Sequence, residues 1–588
     1  MPKTRSPQPL SLTGKRWLFS DCDEGRRQRL VRTLGVSPLV AQLLLNRGLA
    51  DPDGARAFLD PDLRSLHDPD LLPGMAEAVA RIRKAIAAGE KILLYGDYDA
   101  DGVTAVALLV EFFRLVGVQP ECYIPNRVEE GYGVHTEAIE AAAADGVGLI
   151  ITADCGVSAA AEVERARQLG LDVIVTDHHE PPRVVPRATA VVNPKLTGSL
   201  YPFRDLSGVG VAFKLAWALA QSFSPGKRVT PEFREFLLEA MALVAVGTVA
   251  DVVPLLGENR VFAVYGLQAL RRCKNPGLAA LVAQAGLRDK PIRPRDVAFK
   301  IGPRLNAAGR LADASLCVEL LTCRDPQRAA AIARELEARN RERQRLQNSI
   351  LNEARAQLAG QRDLERRRAI VLADETWHAG VVGIVAAKLA EEFLRPTVLL
   401  CLDGELARGS ARSVPRFDLF QAIEACDSVL LSYGGHRQAA GLKLRRQDIP
   451  RFATLFERRV REWLGGEEPC GTLEVDAEVP LAAVDLSLVA ELEQLEPCGQ
   501  GNPPPVLACG EVTVAGQPTV MGTSGQHIAF YVAQGNKSLR AVGFGMGEMY
   551  ERLAAGGVVC DVAFTPRLDN YRGTNEVELI LRDVRIRG

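Results

Sequence analysis

Three short apolar runs end in acidic residues, and each does so where a strand would pass into a turn. KILLYG (91–96) leads into DYDADG, VGLIITA (147–153) into DCG, and LDVIVT (171–176) into DHHE. Helix-like stretches such as VTAVALLVEFFRLV and AAEVERARQL separate the runs, and ECYIP (121–125) and ATAVVNP (188–194) add two more. Short apolar runs alternating with helical segments are the signature of a parallel α/β sheet. Residues just past the carboxyl ends of such strands converge on one crevice. Asp97, Asp99, Asp101, Asp154, Asp177, His178 and His179 are therefore expected in one place.

A lone histidine or strand-end aspartate is more often structural, so the conjunction is the signal. Three carboxylates at alternate positions repel one another unless something positive sits among them. A capped turn wants one or two; three point to a hard divalent cation with oxygen ligands. The segment also matches the opening of a calcium loop, D-x-D-x-D-G, but no glutamate stands at loop position twelve and a strand precedes it, which excludes that reading. Asp251, after an apolar helix in GTVADVVP, completes a set able to fill two adjacent coordination shells. Carboxylates with imidazole and no cysteine favour manganese or magnesium over structural zinc. Two such ions about 3.5–4 Å apart serve displacement at phosphorus, so phosphoester or phosphoanhydride hydrolysis is the expected reaction class.

At about 150 residues per domain, 588 residues make three to four domains. Lys+Arg 71 against Asp+Glu 73 excludes a uniformly basic nucleic-acid coat, so a polyanion would be met by local patches. Of the cations 58 are arginine, the residue suited to forked phosphate contacts, although codon bias gives the same count. No apolar run approaches the roughly 18 residues of a membrane span, and the amino terminus lacks a signal-peptide core. Twelve scattered cysteines without C-x-x-C read as reduced thiols. A cytoplasmic monomer with no membrane partner is the expectation.

A helical stretch covers about 206–321, and after Asp325 a long helix is charged on nearly every side in its middle, as befits a bridge between domains. A coiled coil is the alternative, but the apolar repeat does not persist for three or four heptads. A second α/β unit follows: AIVLADE, a helix over 380–393, PTVLLCL and LLSYGGHRQAAGLKL. From 471 onward five or six alternating runs with a helical insertion near 546–555 suggest a small β-barrel such as an OB-fold. Residues 1–75, rich in Leu, Arg and Pro, read as a helical cap.

In order and spacing, YGDYDADG, TADCG, TDHHE, GTVADVVP and IGPRLNAAGR resemble the motif series of the DHH phosphoesterases. WHAGVVGIVAAKL, GSARS and GGHRQAAG resemble the companion DHHA1 domain, and EPCGQGNPPP with its β-rich sequel is similar to the end of that family's single-strand DNA exonucleases. The resemblance covers roughly 75–588. It implies an α/β chain with two α/β domains, a DHH domain with a parallel sheet (76–324) and DHHA1 (367–466), joined by a long helix (325–366). A helical cap (1–75) would precede them and an OB-like β-barrel (467–588) follow. The implied activity is single-strand-specific 5′→3′ exonuclease action on DNA, releasing 5′-mononucleotides in recombination and repair, with a single-strand-binding protein and a helicase nearby. Selectivity would come from a channel between the α/β domains too narrow for duplex.

By the same resemblance, two Mn2+ or Mg2+ ions would be held by Asp97, Asp99, Asp101, Asp154, His178 and Asp251, with His179 orienting the site from behind. Arg304, Asn306 and Arg310 would face the scissile phosphate, a tight helix-packing loop being the other reading of that segment. His378, Ser410, Arg412 and His436 would line the nucleic-acid channel, and Gly434 and Gly435 would let backbone amides approach a phosphate, unless they merely turn the chain. Ser410 and Arg412 are the candidates for a 5′-phosphate pocket, and Arg437 and Gln438 are larger than the family's usual residues there. Gly208 and Gly210 of SGVGVAF form half a dinucleotide fingerprint and read as packing. In the barrel Phe530, Tyr531, Phe544, Tyr571 and Arg572 are candidates for stacking on bases, each equally able to be core. A phosphodiesterase for short oligonucleotides or cyclic dinucleotides, or a pyrophosphatase, is the alternative, though such relatives are usually shorter and lack the barrel. A non-enzymatic replication scaffold is the third reading, disfavoured because all six ligand positions are Asp or His.

Overall fold

The five apolar runs between Lys91 and Val192 pair as a single parallel sheet, in the spatial order Glu121–Tyr123, Lys91–Gly96, Val147–Ala153, Asp172–Thr176, Ala190–Val192. The structure is a computed structural model that describes residues 10–127, 129–226, 228–361, 366–465, 470–569 and 576–587. The first strand in sequence lies second in space, so the winding reverses between Lys91–Gly96 and Val147–Ala153, with Gly96 beside Ala153. Ligand sites of open α/β sheets form at the carboxyl ends of strands flanking such a reversal. Both strands are buried on both faces, which is why their sequences run apolar without alternating. The helix Ala100–Leu115 is buried on almost every side, packed against Gly208–Ser222 and Pro231–Ala250.

The second sheet of the same unit runs Ser432–Gly435, Ala439–Arg445, Leu406–Arg412, Thr397–Asp403, Ile370–Asp374, antiparallel except for its last pair. Between the two sheets stands the linking helix Pro326–Ala359, 34 residues and about 51 Å long. Ile332, Ala333 and Leu336 bury its first half, where it packs on the helices Pro276–Gln284 and Gly302–Leu311. Ile350, Leu351, Ala354 and Leu358 bury its second half in a core with Leu372, Val381 and Leu389. In its middle the buried side chains are polar: Arg343 donates to Asn340 (2.6 Å) and Gln347 (2.8 Å).

The other unit is a closed barrel of Leu507–Met521, His527–Gln534, Lys537–Gly543, Val577–Ile586 and Val559–Leu568, shut by pairing of the first strand with the last. Residues 10–65 belong to it. Lys15–Phe19 is a strand, paired in parallel with Gly471–Val475, and Trp17 Nε1 donates to Asp583 (2.9 Å) beneath the Arg585 guanidinium. Leu30, Val40, Leu43, Leu44 and Phe58 share one core with barrel residues such as Leu507, Phe530 and Phe564. Of the expected helical cap 1–75, the described residues 10–75 do not form a separate body: the strand's partner lies hundreds of residues away, beyond any local pattern, and 66–75 belongs to the first unit.

Leu43→Ala removes a fully buried side chain from that shared core. It is expected to destabilise the barrel by about 2–5 kcal/mol. Hydrogen exchange across 507–521 reads this directly, since an independent cap would leave protection there unchanged.

Candidate functional site

Asp97 follows the strand Lys91–Gly96 directly, and Asp99 caps the next helix, its Oδ1 accepting from the Asp101 (2.9 Å) and Gly102 (3.1 Å) amides. Gly102 must lack a side chain, because a Cβ there would lie 2.5 Å from the Asp97 carbonyl oxygen. Asp101, fully buried, accepts from the amides of Gly208 (2.6 Å) and Val209 (2.9 Å) at the start of Gly208–Ser222. The SGVGVAF segment thus does more than pack: its helix amino terminus fixes a carboxylate. A Cβ on Gly208 would come within 2.3 Å of Asp154 Oδ1.

Asp154 sits in the left-handed region (φ 66°), a conformation held at a cost typical of functional sites. Its Oδ1 lies 3.1 Å from His178 Nε2, which also approaches Asp251 (3.6 Å) and Asp101 (4.0 Å). Asp251 ends the helix Pro231–Ala250, and the residue after it, Val252, is again left-handed (φ 66°). Behind these, Asp177 accepts from the amides of Val157, His178 and His179 and sits 2.7 Å from His179 Nδ1. Tyr132, from the strand-end segment 126–134, places its hydroxyl 3.1 Å from the same nitrogen.

Ligand atoms of Asp97, Asp99 and Asp154, of Asp101, His178 and Asp251, and of Asp154, His178 and His179 lie within 4.8 Å of one another in each group. Asp154 and His178 are shared between neighbouring groups, the pattern of two adjacent sites. Burial, then the neighbouring carboxylates, hold Asp97, Asp154 and Asp251 well above the usual carboxylate range and push Asp101 up to about 7. Burial, then the charge of His179, lowers His178 to about 3, which keeps it neutral and able to ligate. Burial also opposes ionisation of Asp177, but the His179 hydrogen bond and the charges of both histidines outweigh it, at about 2. His179 moves up despite burial, carried by Asp177. Asp97 Oδ1, Asp154 Oδ1 and His178 Nε2 are buried without a hydrogen-bond partner. Desolvated, repelling, unpartnered oxygen and imidazole donors fit hard divalent cations.

Beside the acids lies a second cluster of opposite sign. The Arg127 guanidinium covers the Tyr98 ring at 4.8 Å and acts electrostatically on Asp97 on one side and on Arg310 and Arg412 on the other. Burial, then Arg127, Arg412 and Arg343, lowers Arg310 to about 9; burial, then Arg127, lowers Arg412 to about 10. Among the described residues no carboxylate forms an ion pair with any of these four arginines. Arg412 donates to Ser410 Oγ (2.9 Å), and Gly383 allows this packing, since its Cβ would fall 2.8 Å from the guanidinium. Half-buried cations gathered without counter-charges are suited to an anion.

The remaining sequence candidates fall in different places. His378 caps the helix Ala379–Phe393 through Nδ1. Gly434 and Gly435 lie on the exposed edge strand Ser432–Gly435, followed by exposed His436; strand register sets Gly441 beside Ser410 and Ala439 beside Arg412. Asn306 accepts from the Ala100 amide (2.7 Å), bracing the DYDADG turn. Arg304 is committed to Glu337 on the linking helix (2.7 Å) and to the Lys300 carbonyl, so of the three residues expected to face a phosphate only Arg310 joins the arginine cluster. Phe530 is barrel core, whereas Tyr531 (47%) and Phe544 (52%) are exposed; Tyr571 and Arg572 lie outside the described residues. The sequence reading missed Tyr98, Arg127, Tyr132 and Arg343. The strand-end rule applied to Glu121–Tyr123 would have pointed to Arg127 and Tyr132, while Arg343 carries no local signal.

Family models match three parts of the chain: the DHH family N-terminal domain over 91–247, the DHHA1 domain over 367–462 and the RecJ OB domain over 475–583. The single-stranded-DNA-specific exonuclease RecJ of Bacillus subtilis (strain 168) is 37% identical over 573 residues, 97% of this chain and 71% of that protein. The structure of RecJ from Thermus thermophilus in complex with Mn2+ superposes with a TM-score of 0.83 at 31% identity, covering 98% of this chain and 80% of that one. Its Mg2+ complex superposes with a TM-score of 0.78 at 30% identity, over 98% and 79%. Carboxylates and imidazoles gathered at the sheet reversal, a DHHA1 domain and a RecJ-type barrel in one chain, and these likenesses over nearly its whole length together make it a member of the RecJ family.

Proposed function

We propose that the chain is a metal-dependent, single-strand-specific 5′→3′ exodeoxyribonuclease that hydrolyses phosphodiester bonds and releases 5′-mononucleotides, in DNA recombination and repair. The observation that carries this is the adjacency of two clusters of opposite sign, bridged by Arg127: acids and imidazoles on one side, half-buried arginines without carboxylates on the other. Asp97, Asp99, Asp101, Asp154, His178 and Asp251 would hold two divalent ions, Mn2+ or Mg2+. When bound, these supply an activated water and neutralise charge at the attacked phosphate.

The rest is performed by the chain itself. Asp177, ionised, can only accept, so His179 carries a proton on Nδ1, and as the imidazolium that Asp177 favours it also presents Nε2–H to the phosphate as a donor. Arg310 stabilises charge that develops on the phosphoryl oxygens. Ser410, Arg412 and Arg127 bind the terminal 5′-phosphate, and its distance from the acids selects the first internucleotide bond. His378, Gly434, Gly435 and His436 lie along the channel toward the rest of the strand. Packed on both α/β domains, the linking helix fixes the channel's width, which admits one strand and excludes two. Tyr531 and Phe544 offer the barrel's exposed rings to bases. No helix among the described residues is long and apolar enough to cross a membrane. We place the protein in the cytoplasm as a monomer, supplied with substrate by a helicase and a single-strand-binding protein.

One oligonucleotide labelled at either end tests the activity. The 5′ label should leave at once as a mononucleotide with Mn2+ or Mg2+, and the 3′-labelled strand should shorten gradually. Chelation or Asp99→Ala should slow both by at least about 10³-fold, the several kcal/mol that metal-assisted charge stabilisation contributes. Release from the 3′ end, or equal digestion of blunt duplex, would refute the reading, and turnover confined to dinucleotides would favour the short-substrate alternative. Arg412→Ala should erase about 10- to 100-fold of the preference for 5′-phosphorylated over 5′-hydroxyl strands, the worth of a hydrogen bond to a charged group. The ratio of kcat/KM for the two strands measures it.

A further inference from the structure

Arg304, expected at the scissile phosphate, instead ties two elements together, and what it ties has the chemistry of a nucleic-acid surface. One end of its guanidinium meets Glu337 on the linking helix, and the other meets the carbonyl of Lys300. Lys300 lies in a π-helical turn, Val297–Ile301, that departs from the i→i+4 pattern just before Gly302–Leu311. Such turns occur mostly at functional sites. The turn holds Phe299 outward, 74% exposed, although the helical spacing of Val297 and Ile301 turns those two residues into the core.

Around Glu337 the linking helix carries arginines. Arg334, Arg341 and Arg345 are spaced i, i+7, i+11, which puts all three on one face over about 16 Å. With Gln284 on the facing wall and Glu337 and Ala338 between, they line a groove of about 390 Å³. Glu337, the only acid in that lining, is already bonded to Arg304 and Arg341, both at 2.7 Å. Arg334 and Arg345 form no ion pair among the described residues. Arg341 and Arg345, four apart, are like charges that oppose helix stability. Phe299 stands next to Lys300, which Arg304 ties to Glu337 of the groove, and an exposed aromatic ring tethered to a positive groove is the composition that binds single strands, the cations taking phosphates and the ring a base.

We propose that this groove and Phe299 form a second nucleic-acid site, a track on which single-stranded DNA beyond the metal centre lays its backbone along the linking helix with one base stacked on Phe299. It rests on the exonuclease reading only in the identity of the ligand. A protein that must digest a long strand from one end benefits from a hold on the portion not yet in the site.

The test separates the two ideas by measuring binding without hydrolysis. Fluorescence anisotropy of a labelled 20-nucleotide single strand is followed in chelator across a salt series, for the full chain and for Arg334→Ala/Arg345→Ala and Phe299→Ala. Loss of two phosphate contacts should lower the slope of log K against log salt by about 1.4, at about 0.7 per contact on single strands. Arg334→Lys/Arg345→Lys, which keeps the charge, should restore most of it. Phe299→Ala should weaken binding about fivefold or more with an unchanged slope. Unchanged melting temperatures show that the variants fold. If affinity and slope for the single strand are the same in all variants, or if duplex of equal length shows the same losses, the proposal is overturned. Nucleotide release by the unmodified chain with Mn2+, assayed separately, decides the exonuclease reading whatever the binding shows.

Discussion

The whole of the first unit is arranged around carboxylates that repel one another where water cannot screen them. Each could escape by taking up a proton, and burial pushes most of them that way. What holds them in place is backbone: the amides of Gly208 and Val209 grip Asp101, those of Asp101 and Gly102 grip Asp99, and Asp154 is locked by a left-handed φ. A site so constructed is poised to exchange protons for cations, and its geometry is set before any cation arrives. The neighbouring arginines are the mirror image, half-buried cations held by carbonyls, a hydroxyl and an aromatic ring, with Arg127 touching the field of both.

Holding two such clusters at a fixed separation is a mechanical task, and it falls to close approaches. Gly309 lets its helix press on the Tyr98 carbonyl, and Gly380 presses on the Arg310 carbonyl, each at a distance no Cβ would tolerate. Both α/β domains are thereby keyed to the turn that carries the acids. The linking helix completes the frame, apolar at each end where it is packed and polar in the middle.

The catalytic sheet was legible because its information is local. A buried parallel strand announces itself as an apolar run, and its carboxyl end follows by position; five strands and, apart from Asp251 at a helix end, the acid and imidazole cluster come from that rule. The failures came from helical phase and from long-range pairing. Arg304 and Arg310 share a motif but lie six residues apart, about 120° around the helix axis, while Asn306 and Arg310 are separated by only about 40°. Asn306 and Arg310 can therefore serve the site together while Arg304 faces the linking helix. Phe530 and Tyr531 are adjacent in a strand, so one had to face the barrel core and the other the solvent, but nothing local says which. The strand Lys15–Phe19 carries no sign of Gly471–Val475.

That last pairing sets a clock. Lys15 and Gly471 are 456 residues apart, and at about 5–20 residues per second the ribosome needs about 20–90 s to make the second after the first. Over that interval the edge of Lys15–Phe19 and the apolar faces of three helices have no barrel to lie on, while the entire catalytic unit emerges and can fold. A segment made long before the barrel is thus among the last to be buried. During synthesis it is this segment, not the metal centre, that offers unpaired backbone and exposed leucines to chaperones or to a neighbouring nascent chain.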